Sequence, residues 1–224
     1  MHKNTHIVAI DGPAGAGKST VARMVATRLG YAFLDTGAMY RAATWRAINA
    51  GVDLDDPIAT AECTRSMRLE MTETPDGFHV CVNGCDITKD IRTPEVTRLI
   101  YKLDENPNVR EHLVNLQREF GMKRPTVAEG RDMGTVVFPD SKCKIFLEAS
   151  LDERVRRRAE ELRAKGVEVD FESLREEVRI RDEKACTRAV SPLRRAEDAI
   201  LIDTTNLSLE EVIDKIVNLA RSAS

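Results

Sequence analysis

The sequence predicts an α/β protein: a three-layer α/β/α core around a central parallel sheet, with an inserted antiparallel subdomain and a short lid. Three observations point there. Short apolar runs at 7–10, 31–35, 126–128, 143–149 and 199–205 are separated by stretches of helical periodicity. That is the pattern of parallel strands buried on both faces. A glycine-rich loop, Gly12–Ser19, follows the first run and opens a helix. Residues 60–90 change to period-two alternation broken by turn residues, as in a small antiparallel sheet.

Taken in order, Ile7–Ile10 reads as a buried strand. Val21, Met24, Val25 and Leu29 then recur at helical spacing, and Gly30 suits a C-terminal cap. A second strand, 31–35, leads into a helix over roughly 38–50 that stops at Gly51. "RLEMTE" (68–73) and "FHVCV" (78–82) alternate, with a turn expected at Pro75–Gly77 between them. Asn83-Gly84 predicts a type I′ hairpin leading to a third strand in "CDIT". Thr93-Pro94 and Asn106-Pro107 each place a capping residue before a proline at the first helical position. The second of these helices carries Val109, Leu113, Leu116 and Phe120 on one face. Ser150 with Glu153, and Ser208 with Glu211, read as capping boxes of two later helices. Residues 166–195 read as charged and broken up, a loop or lid. The core is expected over 1–58, 92–150 and 195–224, the insert over 59–91 with flanking helices to about 120, and the lid region over 151–194.

Composition narrows the function classes. With 224 residues and 42% hydrophobic content, the chain can bury a full core and form one or two domains. Its 34 basic and 37 acidic residues nearly cancel, which argues against nucleic-acid binding by a broadly basic surface. The apolar run after "MHKNTH" is too short for a signal-peptide core or a membrane span, so a cytoplasmic location is expected. The five cysteines are scattered, and "CVNGC" lacks the second pair or close histidine of a zinc site. No surface patch marks itself as an interface, so a monomer is expected.

The chemistry begins with Gly12, Pro13, Ala14, Gly15, Ala16, Gly17, Lys18 and Ser19, the full P-loop pattern G-x-x-x-x-G-K-[ST], with Thr20 directly behind it. Glycines let backbone N–H groups wrap a nucleotide's phosphates, and the following helix N-terminus adds positive potential. Lys18 can reach the β/γ-phosphates, and the Ser19 hydroxyl can hold Mg²⁺. A guanine-reading N-K-x-D is absent, which counts against a switch GTPase. A kinase needs a second, acceptor site.

Ligands of open parallel sheets bind at the strands' C-terminal ends. There "LDTG" (34–37) supplies Asp35, and "EGRDMG" (129–134) ends a buried strand in charge. The latter requires partners for Arg131 and Asp132, and a charged ligand would provide them. Arg41, Arg110, Arg181 and Arg188 are further candidates, because a guanidinium grips phosphate through two parallel hydrogen bonds. The Asp132 carboxylate suits an exocyclic amine such as that of cytosine. Arg154, Arg157 and Arg158 share a helix and could close over a polyphosphate, excluding water. A solvated face paired with Glu160 and Glu161 is the alternative.

Together, "DGPAGAGKST", "LDTGAMYR", "IRTPEV", "EGRDMGTVVFPD", "KIFLEAS", "RAVSPL" and "LIDTTNLSLEEV" resemble the bacterial cytidylate kinase family from about Ile7 to the C-terminal helix. The resemblance implies a P-loop nucleoside monophosphate kinase that moves the γ-phosphoryl of ATP to CMP or dCMP with Mg²⁺. By it, Arg41, Arg131 and Arg188 hold the acceptor phosphate, and Thr36 adds a hydroxyl. Arg110 and Asp132 read the cytosine edge, and Arg181 lies near ribose and phosphates. Lys18, Arg131 and Arg188 form the expected catalytic set. Two positions depart from the family: Tyr101 replaces a base-contacting serine, and Ala185 a sugar-binding aspartate. The rival readings are a UMP or AMP kinase and, more remotely, a regulatory P-loop protein.

Overall fold

The computed structural model describes residues 6–74, 77–164 and 166–223. The chain divides into two compact units, one formed by the segments up to Leu34 and from Gly121 onward, the other by Asp35–Phe120.

The first unit is built on a five-stranded sheet in the order β2-β6-β1-β7-β8. Its strands are β1 (Ile7–Asp11), β2 (Ala32–Asp35), β6 (Thr126–Gly130), β7 (Cys143–Glu148) and β8 (Ile200–Asp203). β1 is central and pairs in parallel with β6 and β7, and β7 pairs in parallel with β8. Burial of Val8, Ala9, Ile10, Val127, Ala128, Ile145 and Leu147 explains the apolar runs of β1, β6 and β7, whereas β8, expected to be buried, lies at the sheet edge with Ile200 and Leu201 exposed. Helix α1 (Lys18–Leu29) packs on β6 and on α9 (Leu209–Ser222). Gly30 ends α1 in the left-handed conformation, as its position predicts. Ser208 and Glu211 form both halves of the capping box of α9. The Ser150 hydroxyl accepts from Glu153 N at the start of α7 (Leu151–Ala164), but the Glu153 carboxylate turns to Arg156 and Arg157.

The segment read as broken-up charge contains a 17-residue helix, α8 (Phe171–Thr187). Asp170 caps it, and Leu174 and Val178 close against Val155 and Ala159 of α7 in a small core. Two buried positions in 17 residues leave a weak periodic signal. Packing against α7 supplies the stability that the pattern lacks.

The second unit contains α2 (Thr36–Asn49), α3 (Pro57–Arg65), a three-stranded sheet, a 3₁₀ turn (Asp90–Arg92), α4 (Pro94–Leu99), α5 (Tyr101–Asp104) and most of α6 (Pro107–Lys123). The sheet is an antiparallel meander of β3 (Leu69–Thr74), β4 (Gly77–Val82) and β5 (Cys85–Asp86). Asn83 and Gly84 both have positive φ, the requirement of the type I′ turn expected there. The turn expected at Pro75–Gly77 rests on residues 75 and 76, which lie outside the described residues. Thr93 caps α4, and the Asn106 side chain accepts from Asn108 N and Val109 N. The buried stripe of α6 runs through Val109, Arg110, Leu113, Val114 and Gln117, rotated from the expected face because Leu116 and Phe120 are only half-buried.

Gly12, with φ 150°, directly follows β1 and lies close against β7: a Cβ there would sit 2.1 Å from the Leu147 carbonyl oxygen. Backbone cannot yield as a side-chain tip can. Gly12→Ala is expected to cost about 3 kcal/mol or more, lowering the melting temperature by roughly 6 °C or more. Thermal denaturation checks this, and a variant that melts with the parent would refute it.

Candidate active site

In the first unit, parallel pairing of β6 on β1 sets Ile10 opposite Glu129 and Asp11 opposite Gly130. Two strands widely separated in sequence thus end together beside the P-loop. Gly15 and Gly17 adopt positive φ, turning the loop so that Gly17 caps α1. The Lys18 ammonium donates to the Pro13 carbonyl at 2.7 Å. The Ser19 hydroxyl donates to Glu129 Oε1 at 2.5 Å. Behind the loop, buried Asp11 accepts from Met133 N and Gly134 N, each at 2.8 Å. It thereby anchors the π-helical turn Met133–Val137 that follows Asp132. Burial pushes the Asp11 carboxyl up to about 6 against those two hydrogen bonds.

Lys18 lies in a strongly electropositive setting. Burial, then the positive charges of Arg131 and Arg181, lower its amine to about 7, while Glu129 and Asp11 pull the other way. The charges of Arg131 and Arg181 are therefore both felt at Lys18. Asp132 is buried at the head of the π-helical turn, and its carbonyl accepts from Val136 N and Val137 N. Arg188, also buried, ends α8 and donates through Nε to the Ser191 carbonyl at 2.6 Å.

The three arginines of α7 separate. Arg154 is buried and donates to the carbonyls of Ala149 and Ala14, each at 3.0 Å, so it braces the P-loop backbone. Arg157 lies near Gly17, donating to Glu153 and to the Thr204 hydroxyl and carbonyl. Arg158 pairs with Glu161 on the outer side, the arrangement of a solvated face.

In the second unit, Asp35 caps α2 by accepting from Ala38 N at 2.8 Å, and Thr36 opens the helix, buried. Arg41, one turn on, donates to the Thr97 hydroxyl at 2.8 Å and to the Ile91 carbonyl at 3.3 Å. Arg92 lies 3.9 Å from Asp35. Arg110 is buried, stacks 5.5 Å from the Tyr40 ring centre and donates to the Asp104 carbonyl. Tyr101 opens α5 and is half-buried. Ala185 lies within α8, its carbonyl accepting from Leu193 N.

Glu129, Asp11 and Arg92 were not singled out from the sequence. Each sat inside a recognised motif, but only strand register or loop packing shows what it faces. The Ser19 hydroxyl and Glu129 carboxylate are hard oxygen donors that fit Mg²⁺. Among the described residues, no group of three or more His, Cys, Asp or Glu could hold a metal. Such a pair suits Mg²⁺ that arrives with a nucleotide's phosphates and waters, rather than one caged by protein.

A family model described as "Cytidylate kinase" matches residues 8–222. A Bacillus velezensis cytidylate kinase is 48% identical over 217 residues, covering 97% of each chain. A Carboxydothermus hydrogenoformans cytidylate kinase is 48% identical over 212 residues, covering 95% of this chain and 96% of its own. Among solved structures, a gluconokinase from Sinorhizobium meliloti 1021 shares the fold, with TM-score 0.50 and 16% identity, covering 99% of this chain and 95% of its own. With the family model matching residues 8–222 and these relatives 48% identical over nearly their whole length, the chain belongs to the cytidylate kinase family.

Proposed function

We propose that the protein transfers the γ-phosphoryl group of ATP to CMP or dCMP, giving ADP and CDP or dCDP. The observation that carries this is an intact P-loop whose Lys18 feels the charges of Arg131 and Arg181, in a chain that matches cytidylate kinases over nearly its whole length. The P-loop amides and Lys18 bind the donor's phosphates. The residues assigned to the acceptor phosphate are Arg41, Thr36, Arg131 and Arg188. Arg92, near the head of α2, joins that set. Arg110 and Asp132 read the cytosine edge. Ser19 and Glu129 would hold Mg²⁺ arriving with the nucleotide, and the ion would supply charge neutralisation at the phosphate oxygens.

The acceptor oxygen attacks in line, and no covalent enzyme intermediate is needed. Lys18, Arg131, Arg181 and Arg188 stabilise charge on the transferring group, and positioning supplies the remainder. Arg157 lies near the donor loop as a further nucleotide contact, whereas Arg154 serves the loop's backbone. All five cysteines are unpaired, and no helix among the described residues is long and apolar enough to cross a membrane. We place the protein in the cytoplasm, as a monomer acting on small molecules.

A coupled assay for ADP should show turnover that depends on added monophosphate, with kcat/KM for CMP or dCMP about tenfold or more above that for UMP or AMP, a gap of roughly 1.4 kcal/mol. Asp132→Ala should lower kcat/KM for CMP most, by about tenfold, through its lost base contact. Equal ADP formation without acceptor would refute the reading.

The depressed Lys18 amine makes a separate prediction. At pH 8 a group titrating near 7 is about nine-tenths neutral. The polyanion of a bound nucleotide raises its affinity for a proton. Binding of Mg·ATP at pH 8 is therefore expected to take up close to one proton, read by calorimetry in buffers of different ionisation enthalpy. Lys18→Met should abolish the uptake.

A further inference from the structure

Outside the residues assigned above, one side chain reaches the P-loop from the far side of the lid hairpin. The Asp182 carboxylate, on α8, accepts from Ala14 N at 3.3 Å. It also pairs with Arg154 of α7, whose guanidinium donates to the Ala14 carbonyl at 3.0 Å. Both polar groups of the Ala14 peptide unit pair are thus held by one ion pair. The fit around it is close. A Cβ on Gly15 would lie 3.1 Å from the Arg154 Cβ and 3.3 Å from the Arg154 carbonyl oxygen. The Arg154 side chain is 8% exposed and that of Asp182 18%, so solvent screens the pair weakly.

We propose that Asp182 is a positioning residue: with Arg154 it clamps the Ala14 backbone to α7 and α8, and this anchorage places the adjacent Arg181 beside Lys18. The geometry gives the clamp two effects. It fixes the P-loop's second residue pair, Ala14-Gly15, in the shape that presents amides to phosphate. It also ties α8 to the loop at the residue next to Arg181, whose charge is already felt at Lys18. A loosened clamp would leave both halves folded but let Arg181 drift from the reacting phosphates. Errors of about 1 Å in such placement cost rate rather than stability.

The proposal rests on the kinase reading, and its test separates the two. Asp182→Asn keeps an oxygen that can accept from Ala14 N but loses the charge that holds Arg154. It is expected to lower kcat about tenfold with KM for CMP changed less than about twofold and with the melting temperature close to the parent's. Arg181→Lys should lower kcat in the parent but add less than about twofold in the Asp182→Asn background, because the two act as one unit. Multiplicative losses, or an unchanged kcat, would overturn the proposal. If the Asn variant does not fold, Asp182→Glu, which retains the charge at a shifted position, is expected to give the same non-additivity. Should the wild-type protein form no ADP in response to CMP, the kinase reading fails. The clamp is then read by titrating a fluorescent ATP analogue. Asp182→Asn is expected to weaken its binding about fivefold, and unchanged binding would overturn the clamp.

Discussion

The parallel register of β6 on β1 is the constraint on which the site depends. It places Glu129 beside Ile10 and Gly130 beside Asp11, so that two strand ends more than a hundred residues apart meet at the start of the P-loop. A slip of one residue would turn every side chain of β6 to the other face. The Glu129 carboxylate would leave the Ser19 hydroxyl, and Arg131 would leave Lys18. The buried runs 7–10 and 126–128 pin that register because their apolar side chains are covered on both faces. Fold stability and site geometry are therefore set by the same contacts.

Asp11 shows how local backbone is recruited to the site. A buried carboxylate needs donors, and Met133 N and Gly134 N supply them. The turn they begin is π-helical, a rare form that is frequent at functional sites, and it starts directly after Asp132. The charged strand end "EGRDMG" accordingly has three destinations: Glu129 to the P-loop serine, Arg131 toward Lys18, and Asp132 to the head of the turn that Asp11 holds.

Much of this was legible in the sequence because its determinants are local. Asn83-Gly84 must form its turn wherever it occurs between strands, and Ser208 with Glu211 satisfies helix-end N–H groups without help from elsewhere. The P-loop is read from eight consecutive residues. What escaped was set by tertiary contact. Helix α8 owes its order to Leu174 and Val178 packing on α7, which its charged composition hides. Arg154 looked like its neighbours Arg157 and Arg158 on a helical wheel, yet it alone turns beneath the loop to the Ala14 carbonyl. Glu129 and Arg92 lay inside recognised motifs, but their partners come from other elements.

The charge arrangement around Lys18 is costly for the protein alone. Lys18 feels the like charges of both Arg131 and Arg181, which disfavour its own protonated form. The protein relieves this in three ways: it holds Lys18 on the Pro13 carbonyl, keeps the charges of Glu129 and Asp11 within its reach, and lets the amine fall to about 7 so that its proton can leave. None of these would be needed in a site evolved only for packing, where apolar residues of similar volume would serve as well. A polyphosphate replaces all three with direct neutralisation. The repulsion among these like charges thus favours a polyanion over any neutral ligand, and the same preorganised charges meet the negative charge that spreads over a phosphoryl group in transfer.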